Sequence, residues 1–247
     1  MLRINQSRLE LITTIALTFV TGVVDAVGYL GLDRVFTGNM TGNIVILGMG
    51  IAGADELPVL GPAVALVGFT AGALAAGIAV RRRAAPGWDT RITVLLTVGA
   101  AILLALTVAL AVGDSSPGAT GQVVIATAIA VVMGQQAMVA RALAVKDMTT
   151  VVVTSTLTSL AGETWVRGAR GTAVFNRRLA AIVVIFLGAL SGALLLRLHI
   201  AVPLALAAVI TCLVVMIGHL RLHERASGQV RDATEPDMGR RAVLRLR

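Results

Sequence analysis

The sequence predicts an all-α membrane protein with six transmembrane helices and two short broken or re-entrant polar helices, arranged as an inverted-topology repeat. Hydrophobic residues make up 57% of the 247 residues, and charged residues only 14%. A soluble domain of this length needs more charged residues to cover its surface, whereas helices that face lipid need none. The lipid bilayer is therefore the expected solvent and partner.

Six apolar runs are long enough to cross a hydrocarbon core, which takes roughly 20 helical residues. They predict a single transmembrane domain over residues 1–220. Residues 221–247 carry many Arg without an apolar period, so we expect a basic, loosely ordered cytoplasmic tail. The six runs are residues 9–32, 57–80, 92–112, 119–143, 179–197 and 200–220.

Two further apolar segments are shorter, and each has a polar first half. One begins at residue 35 and continues to residue 47, and the other covers residues 148–162. Their Asn, Thr and Gly residues supply hydrogen-bonding groups and a permissive backbone, which suits a broken helix that lines a protein-enclosed cavity. Two ordinary tilted spans are the alternative.

The formal net charge of +8 comes from basic residues placed between the apolar runs. This placement is typical of topology signals and not of a nucleic-acid-binding face, so no nucleic-acid partner is expected. If both short segments return to the side they came from, most basic residues share one face of the membrane. That face, with both termini, is then cytoplasmic, and chiefly Arg34 and Arg197 lie on the other side.

The two halves of the chain resemble each other. Gly22 before Asp25 and the first polar segment runs parallel to Gly134 before Gln135, Gln136 and the second polar segment, with a shift of about 112 to 113 residues. Each half reads as span, short polar segment, span, span. Three crossings is an odd number, so repeats over residues 9–112 and 119–220 would be inverted relative to each other. Chance similarity between Ala- and Gly-rich helices is the alternative.

The motif formed by Gly22, Asp25, Leu32 and residues 35–43 resembles the signature of the YoaK family. The Thr-rich residues 149–158 are similar to the second motif of that family. The resemblance covers most of the chain to about residue 220. It implies a multi-pass protein of the bacterial inner (plasma) membrane, in a family grouped as a domain of unknown function. It supplies no substrate and no catalytic residue.

Polar side chains inside the spans and short segments are candidates for a substrate path. An ionised carboxylate in hydrocarbon is costly, so Asp25 should face the bundle interior as a proton, cation or gating group. The alternative is a structural hydrogen bond or a salt bridge to Arg34. The candidate path comprises Asp25, Tyr29, Thr37, Asn39, Thr41, Asn43, Gln135, Gln136, Thr150, Thr154, Thr156 and Thr158.

The two short segments would meet near the midplane of an inverted repeat. Free N–H groups at half-helix N-termini carry partial positive charge, which predicts a small polar or anionic solute. Ser, Thr and Asn also hydrogen-bond between membrane helices, so polar contacts that only hold the bundle together are the alternative. Close helix crossings, inside one chain or in a homo-oligomer, are predicted at Gly68, Gly72, Gly188 and Gly192.

Catalytic motifs for metalloproteases, serine hydrolases and phosphate-binding loops are missing from the sequence, so no enzyme, catalytic residue, cofactor or metal is expected. Trp88 and Trp165 lie in polar connections and are interpreted as interfacial anchors. The leading hypothesis is a small-solute transporter or channel-like permease. The first alternative is a non-catalytic membrane assembly or interaction protein, and the second is an intramembrane enzyme.

Overall fold

The computed structural model describes residues 6–81, 87–113, 117–143 and 172–220, and the regular structure in these ranges is helical. Of the helices described there, six are long and apolar enough to cross a membrane, whereas α2 has only 12 residues. The second short segment and the tail lie outside the described residues. The helices are α1 (Gln6–Gly31), α2 (Met40–Ile51), α3 (Leu60–Val80), α4 (Thr90–Val112), α5 (Ala119–Ala142), α6 (Thr172–Leu196) and α7 (Ala201–Gly218).

The chain reverses direction directly after α1. Asp33 and Arg34 both have positive φ, and the N–H of Val35 donates to the carbonyl of Gly28 at 3.2 Å. Residues 36–39 then run back beside α1 and reach Asp25, six residues and about 9 Å before the end of that helix. The first turn of α2 therefore lies at the depth of Asp25, well below the end of α1.

Helix α2 leads the chain back to the side from which it entered. Its 12 residues cover about 18 Å, too short for a crossing. Near its end, Gly50 packs against the residues that precede α3, and Gly61 in α3 packs against Asp33 and Val35. Helix α3 therefore starts at the end of the bundle where α1 finishes. This is the re-entrant arrangement that the sequence predicts for the first short segment.

Glycine contacts define two pairs of parallel helices. In the first pair, Gly188 of α6 lies against Phe19 of α1, and further along Gly31 lies against Leu196. In the second pair, residue numbers again rise together along both helices. There Gly68 of α3 lies against Thr127 of α5, and Gly77 lies against Met138.

The two pairs correspond to each other when α1, α3 and α4 of the first half are matched with α5, α6 and α7 of the second. Helices α1 and α6 pack against each other as α5 and α3 do, and α4 packs against α7. Because α3 starts where α1 ends, the parallel partner α5 runs opposite to α1. The corresponding helices α1 and α5 are therefore antiparallel, as an inverted repeat requires. The repeat boundaries at residues 9–112 and 119–220 remain a prediction.

A second, smaller core lies at the end of the bundle where α1 begins. It contains Trp88, which is 2% exposed and donates its Nε1–H to the Thr93 hydroxyl at 2.8 Å. The indole packs against Gly218 of α7, where a Cβ would collide with the ring. The interpretation of Trp88 as an interfacial anchor is therefore wrong: it fills a helix junction inside the protein. Trp165 lies outside the described residues.

Candidate functional site

The N-terminal end of α2 is occupied by a carboxylate of the same chain. Asp25 Oδ1 accepts backbone hydrogen bonds from the N–H groups of Thr37 at 2.9 Å, Gly38 at 2.6 Å and Asn39 at 3.3 Å. The Thr37 hydroxyl lies 3.5 Å from the same oxygen. Free N–H groups and the helix dipole make such an end electropositive, and this oxygen supplies the matching negative charge. Asp25 is thus an internal anion that anchors the re-entrant segment.

The amide of Asn43 holds the polar segment from its other side. Asn43 Oδ1 accepts the N–H of Phe36 at 2.9 Å, and Nδ2 donates to the Phe36 carbonyl at 2.6 Å. Asn39 caps α2 by accepting the N–H of Gly42 at 3.1 Å, and its side chain is exposed. The side chains of Asn39 and Asn43 therefore hydrogen-bond directly to backbone groups of this segment.

Replacing Asn43 by Ala is expected to lower the free energy of unfolding by about 2 kcal/mol, because both backbone groups of Phe36 lose their partner in a buried setting. The matched control is Asn39→Ala, which removes one exposed cap bond and should lower it by about 1 kcal/mol. Denaturant unfolding of the purified variants in detergent measures both. Equal losses in the two variants would contradict a special role for Asn43.

One face of α1 carries a buried stripe of hydroxyl groups that leads to Asp25. Thr14, Thr18 and Thr21 lie at helical spacing on the same face and are at most 7% exposed. The hydroxyl of Thr18 donates to the Thr14 carbonyl at 2.9 Å, and that of Thr21 donates to the Leu17 carbonyl at 3.1 Å. The hydroxyl hydrogen atoms of Thr18 and Thr21 are used within the helix, so these two oxygens act toward the bundle as acceptors.

Two amides of α5 reach across to neighbouring helices. Gln136 Nε2 donates to the Leu17 carbonyl at 3.1 Å and to the Thr21 hydroxyl at 3.3 Å. Gln135 Nε2 donates to the carbonyl of Leu95 in α4. The contact with Leu17 fixes the orientation of the Gln136 amide, because a carbonyl can face only the NH₂ group.

Two acceptor atoms near this stripe have no donor among the described residues. Gln136 Oε1 is fully buried, in a side chain only 2% exposed. Every hydrogen bond that the described residues make to Asp25 ends on Oδ1, so Oδ2 is the second such atom. For Gln136 Oε1, which is fully buried, the unmade hydrogen bond is unfavourable. That atom therefore suits a molecule that donates hydrogen bonds, and Asp25 Oδ2 offers a further acceptor.

Other residues of the predicted path lie outside this cluster. Tyr29 is 38% exposed, and its ring stacks on Phe36 with centroids 4.9 Å apart. Thr41 is exposed on α2. Arg34, considered as a salt-bridge partner of Asp25, instead lies 3.9 Å from Asp55, with both side chains exposed. Outside the described residues lie Thr150, Thr154, Thr156 and Thr158.

Comparisons with known proteins place this bundle in a family. A family model described as "Protein of unknown function (DUF1275)" matches residues 13–217, which is most of the chain. The chain belongs to this family. The match begins in the Thr-rich part of α1 and ends in α7, so it includes the re-entrant segment, Asp25 and Gln136.

A curated relative is the "UPF0700 transmembrane protein YoaK" of Bacillus subtilis (strain 168), which is 33% identical over 153 residues. The alignment covers 62% of this chain and 65% of the relative, so this chain spans somewhat less than two thirds of that protein. No solved structure matches. The resemblance to the YoaK family that the sequence motif indicates is thus confirmed, as is a multi-pass membrane protein.

Sequence reasoning missed the hydroxyl stripe of this DUF1275 protein, although a signal for it exists. Thr14, Thr18, Thr21 and Asp25 follow one another at steps of three or four residues inside an otherwise apolar span. This is the helical period, so the four side chains must share a face. Clusters of His, Cys, Asp and Glu that could hold a metal are not found in the described part of the chain.

Proposed function

We propose that this protein is a channel-like permease for a small polar solute that donates hydrogen bonds. The observation that carries the proposal is the buried Gln136 Oε1, unpaired among the described residues, beside the hydroxyl stripe of α1, on the helix face that also carries Asp25. This acceptor lies where hydrocarbon would penalise it, and a donor that passes between the helices would supply its missing hydrogen bond.

The re-entrant helix supports a path at this position. Non-helical backbone at membrane depth is tolerated where protein encloses it or where it lines a polar cavity. Transporters with inverted repeats commonly place such broken helices at the substrate site, near the interface of the halves. Here the tip of α2 lies against α1, and α1 meets α5 of the other half through Gln136.

The same geometry argues against an anion at the first half-helix. Asp25 Oδ1 already binds the N–H groups of the three residues directly before α2, Thr37, Gly38 and Asn39, and its carboxylate would repel an anion there. The buried hydroxyl oxygens of Thr18 and Thr21 on α1 repel anions and favour N–H or O–H groups, protonated amines or other small cations. The solute class proposed here is therefore narrower than a small polar or anionic molecule.

We also propose that both termini lie in the cytoplasm of a bacterial cell and that the chain lies in the inner membrane. Arg81, Arg91 and Arg141 lie at the end of the bundle where α1 begins, at the end of α3, the start of α4 and the end of α5. Basic residues concentrate on the cytoplasmic side of bacterial inner-membrane proteins. The support for this orientation is that charge distribution alone.

Asp25→Asn tests the proposed path. The amide keeps an oxygen for the N–H groups of Thr37, Gly38 and Asn39 but places an NH₂ donor where Oδ2 was, so a donor solute should enter about tenfold more slowly. Proteoliposomes are mixed with an osmolyte in a stopped-flow instrument, and light scattering reports entry. Probe solutes are urea, glycerol and methylammonium as donors, with formate as the anion.

The wild-type protein should speed the entry of at least one donor solute over empty liposomes and leave formate entry unchanged. Thr41→Val is the matched control, because Thr41 is exposed on α2 and makes none of the contacts of the stripe. Its flux should equal that of the wild type. Faster entry of formate alone, or of no probe at all, would count against the permease.

A second candidate function is a membrane assembly protein without a solute. The observation in its favour is that Asp25 Oδ1 and both polar atoms of Asn43 hold the chain's own backbone. In that case the polar residues stabilise the bundle and flux is absent in every variant. The same proteoliposome series separates the two functions, because only the permease gives solute-dependent rates.

A further inference from the structure

A cavity of about 530 Å³ opens at the end of the bundle opposite the start of α1. It lies between the ends of α1 and α6, the beginning of α5 and the turn that precedes α7. Since these helices all start or stop there, the cavity is level with the membrane surface and not with the hydrocarbon centre. Its lining includes Leu30, Gln122, Leu196, Arg197, Leu198 and His199.

The polar part of this cavity favours an anion. Arg197 contributes a guanidinium with five N–H donors. His199 Nδ1 accepts the N–H of Ala201 at 3.1 Å, so in the neutral ring Nε2 carries the hydrogen and can donate. Among the described lining residues there is no carboxylate that would neutralise Arg197.

The other wall is apolar and faces lipid. Leu30 and Leu198 are 63% and 73% exposed, and Leu196 also lines the cavity. A small soluble anion would leave this apolar wall uncovered. A lipid, in contrast, can place its phosphate beside the arginine and its first acyl carbons on the leucines. The volume also exceeds what an inorganic phosphate ion fills.

The second basic side chain at this end of the bundle is already engaged. Arg34 has a carboxylate oxygen of Asp55 at 3.9 Å and the Asp55 carbonyl at 3.5 Å. Arg197 lines the cavity without an acidic neighbour among the described residues, so the two arginines differ in what they offer a ligand.

From this combination we infer a binding site for an anionic phospholipid, with Arg197 and His199 holding the headgroup phosphate and the leucines holding the upper acyl chains. The site belongs to the leaflet at which α1 ends. It does not depend on the proposed solute path, because none of its residues belongs to the stripe of α1.

The test uses the full-length protein in a neutral detergent and short-chain phosphatidylglycerol as the probe. Short-chain phosphatidylcholine and inorganic phosphate are the comparison probes, and binding is followed by the shift of the thermal unfolding midpoint and by native mass spectrometry. Phosphatidylglycerol should bind tighter than either. Arg197→Gln should weaken it about tenfold, and Arg197→Lys should weaken it less.

Arg34→Gln is the matched control and should leave binding unchanged, because it removes a charge from the same end of the bundle outside the cavity. Ala193→Phe fills the cavity without altering a charge and should also abolish binding. Equal weakening by Arg34→Gln and Arg197→Gln would overturn the site, since it would indicate only surface charge. Tight binding of inorganic phosphate that depends on Arg197 would overturn the lipid as the ligand.

Discussion

Asp25→Ala is expected to lower the free energy of unfolding by about 3 kcal/mol or more and to release α2 from the bundle. The substitution leaves the N–H groups of buried Thr37 and Gly38 without an acceptor, together with that of exposed Asn39. Each buried unsatisfied donor is unfavourable by about 1–3 kcal/mol. Thermal unfolding in detergent measures the loss, and reaction of a cysteine at position 40 with a maleimide, in a Cys212→Ala background, measures the release.

A small carboxylate should restore what Asp25→Ala removes. Formate carries the same acceptor group and fits the space that the deleted side chain leaves, so adding it should raise the unfolding midpoint of this variant and slow the labelling. The wild type, whose N–H groups are occupied, should not respond. Methylammonium is the control ion, and it should neither raise the unfolding midpoint of Asp25→Ala nor slow its labelling. An Asp25→Ala protein as stable as the wild type would show that these hydrogen bonds do not anchor α2.

The position of Asp25 could be predicted from the sequence, but its partner could not. A carboxylate in an apolar run must find compensation inside the protein, which places it in the interior. Its partners turned out to be backbone N–H groups, which every residue carries, so no residue type marks them. Arg34 was a reasonable candidate by charge, yet the turn at residues 33–35 points it toward Asp55.

The number of spans and the re-entrant course of α2 could be predicted because both follow from length and polarity. The solute chemistry depended on detail that composition does not contain. The sequence favoured an anion from the dipole of a half-helix, and the structure fills that end with Asp25. The orphan acceptor of Gln136 depends on which carbonyl its NH₂ group meets across the bundle, and spacing along one chain does not specify that.

The pairing of helices is the part of the fold in which sequence and structure meet most closely. Glycine at a crossing lets two helix backbones touch, which side chains of any size prevent. In α3 and α5, Gly72 lies against the backbone of Val131, and Gly134 lies against that of Phe69. In α1 and α6, Gly188 lies against the backbone oxygen of Phe19, and Gly22 lies against the backbone oxygen of Ile185.

Gly134→Ala is therefore expected to lower the free energy of unfolding by about 3 kcal/mol, at the upper end of what overpacking usually does. The added Cβ would overlap the carbonyl oxygen of Phe69, which belongs to a helix backbone and cannot rotate away. Relief requires α3 and α5 to separate. Separation also disturbs the contact of Gly72 with Val131 and the hydrogen bond of Gln135 to α4. Gly22 occupies in the first half the position that Gly134 occupies in the second. Gly22→Ala should therefore lower the free energy of unfolding by a comparable amount, by forcing α1 and α6 apart.

Gly48→Ala is the matched control, since Gly48 lies in α2 with nothing within 4 Å of the position that a Cβ would take. There the substitution should be neutral or slightly stabilising, because alanine is the better helix former. Unfolding midpoints of the three purified variants decide the comparison. A small loss of stability in Gly134→Ala with a large loss in Gly22→Ala would show that the two helix crossings are not equivalent. The two halves would then resemble each other in sequence without sharing the same packing. Comparable losses at both, with Gly48→Ala unaffected, would mean that each half depends on the other for its closest contact.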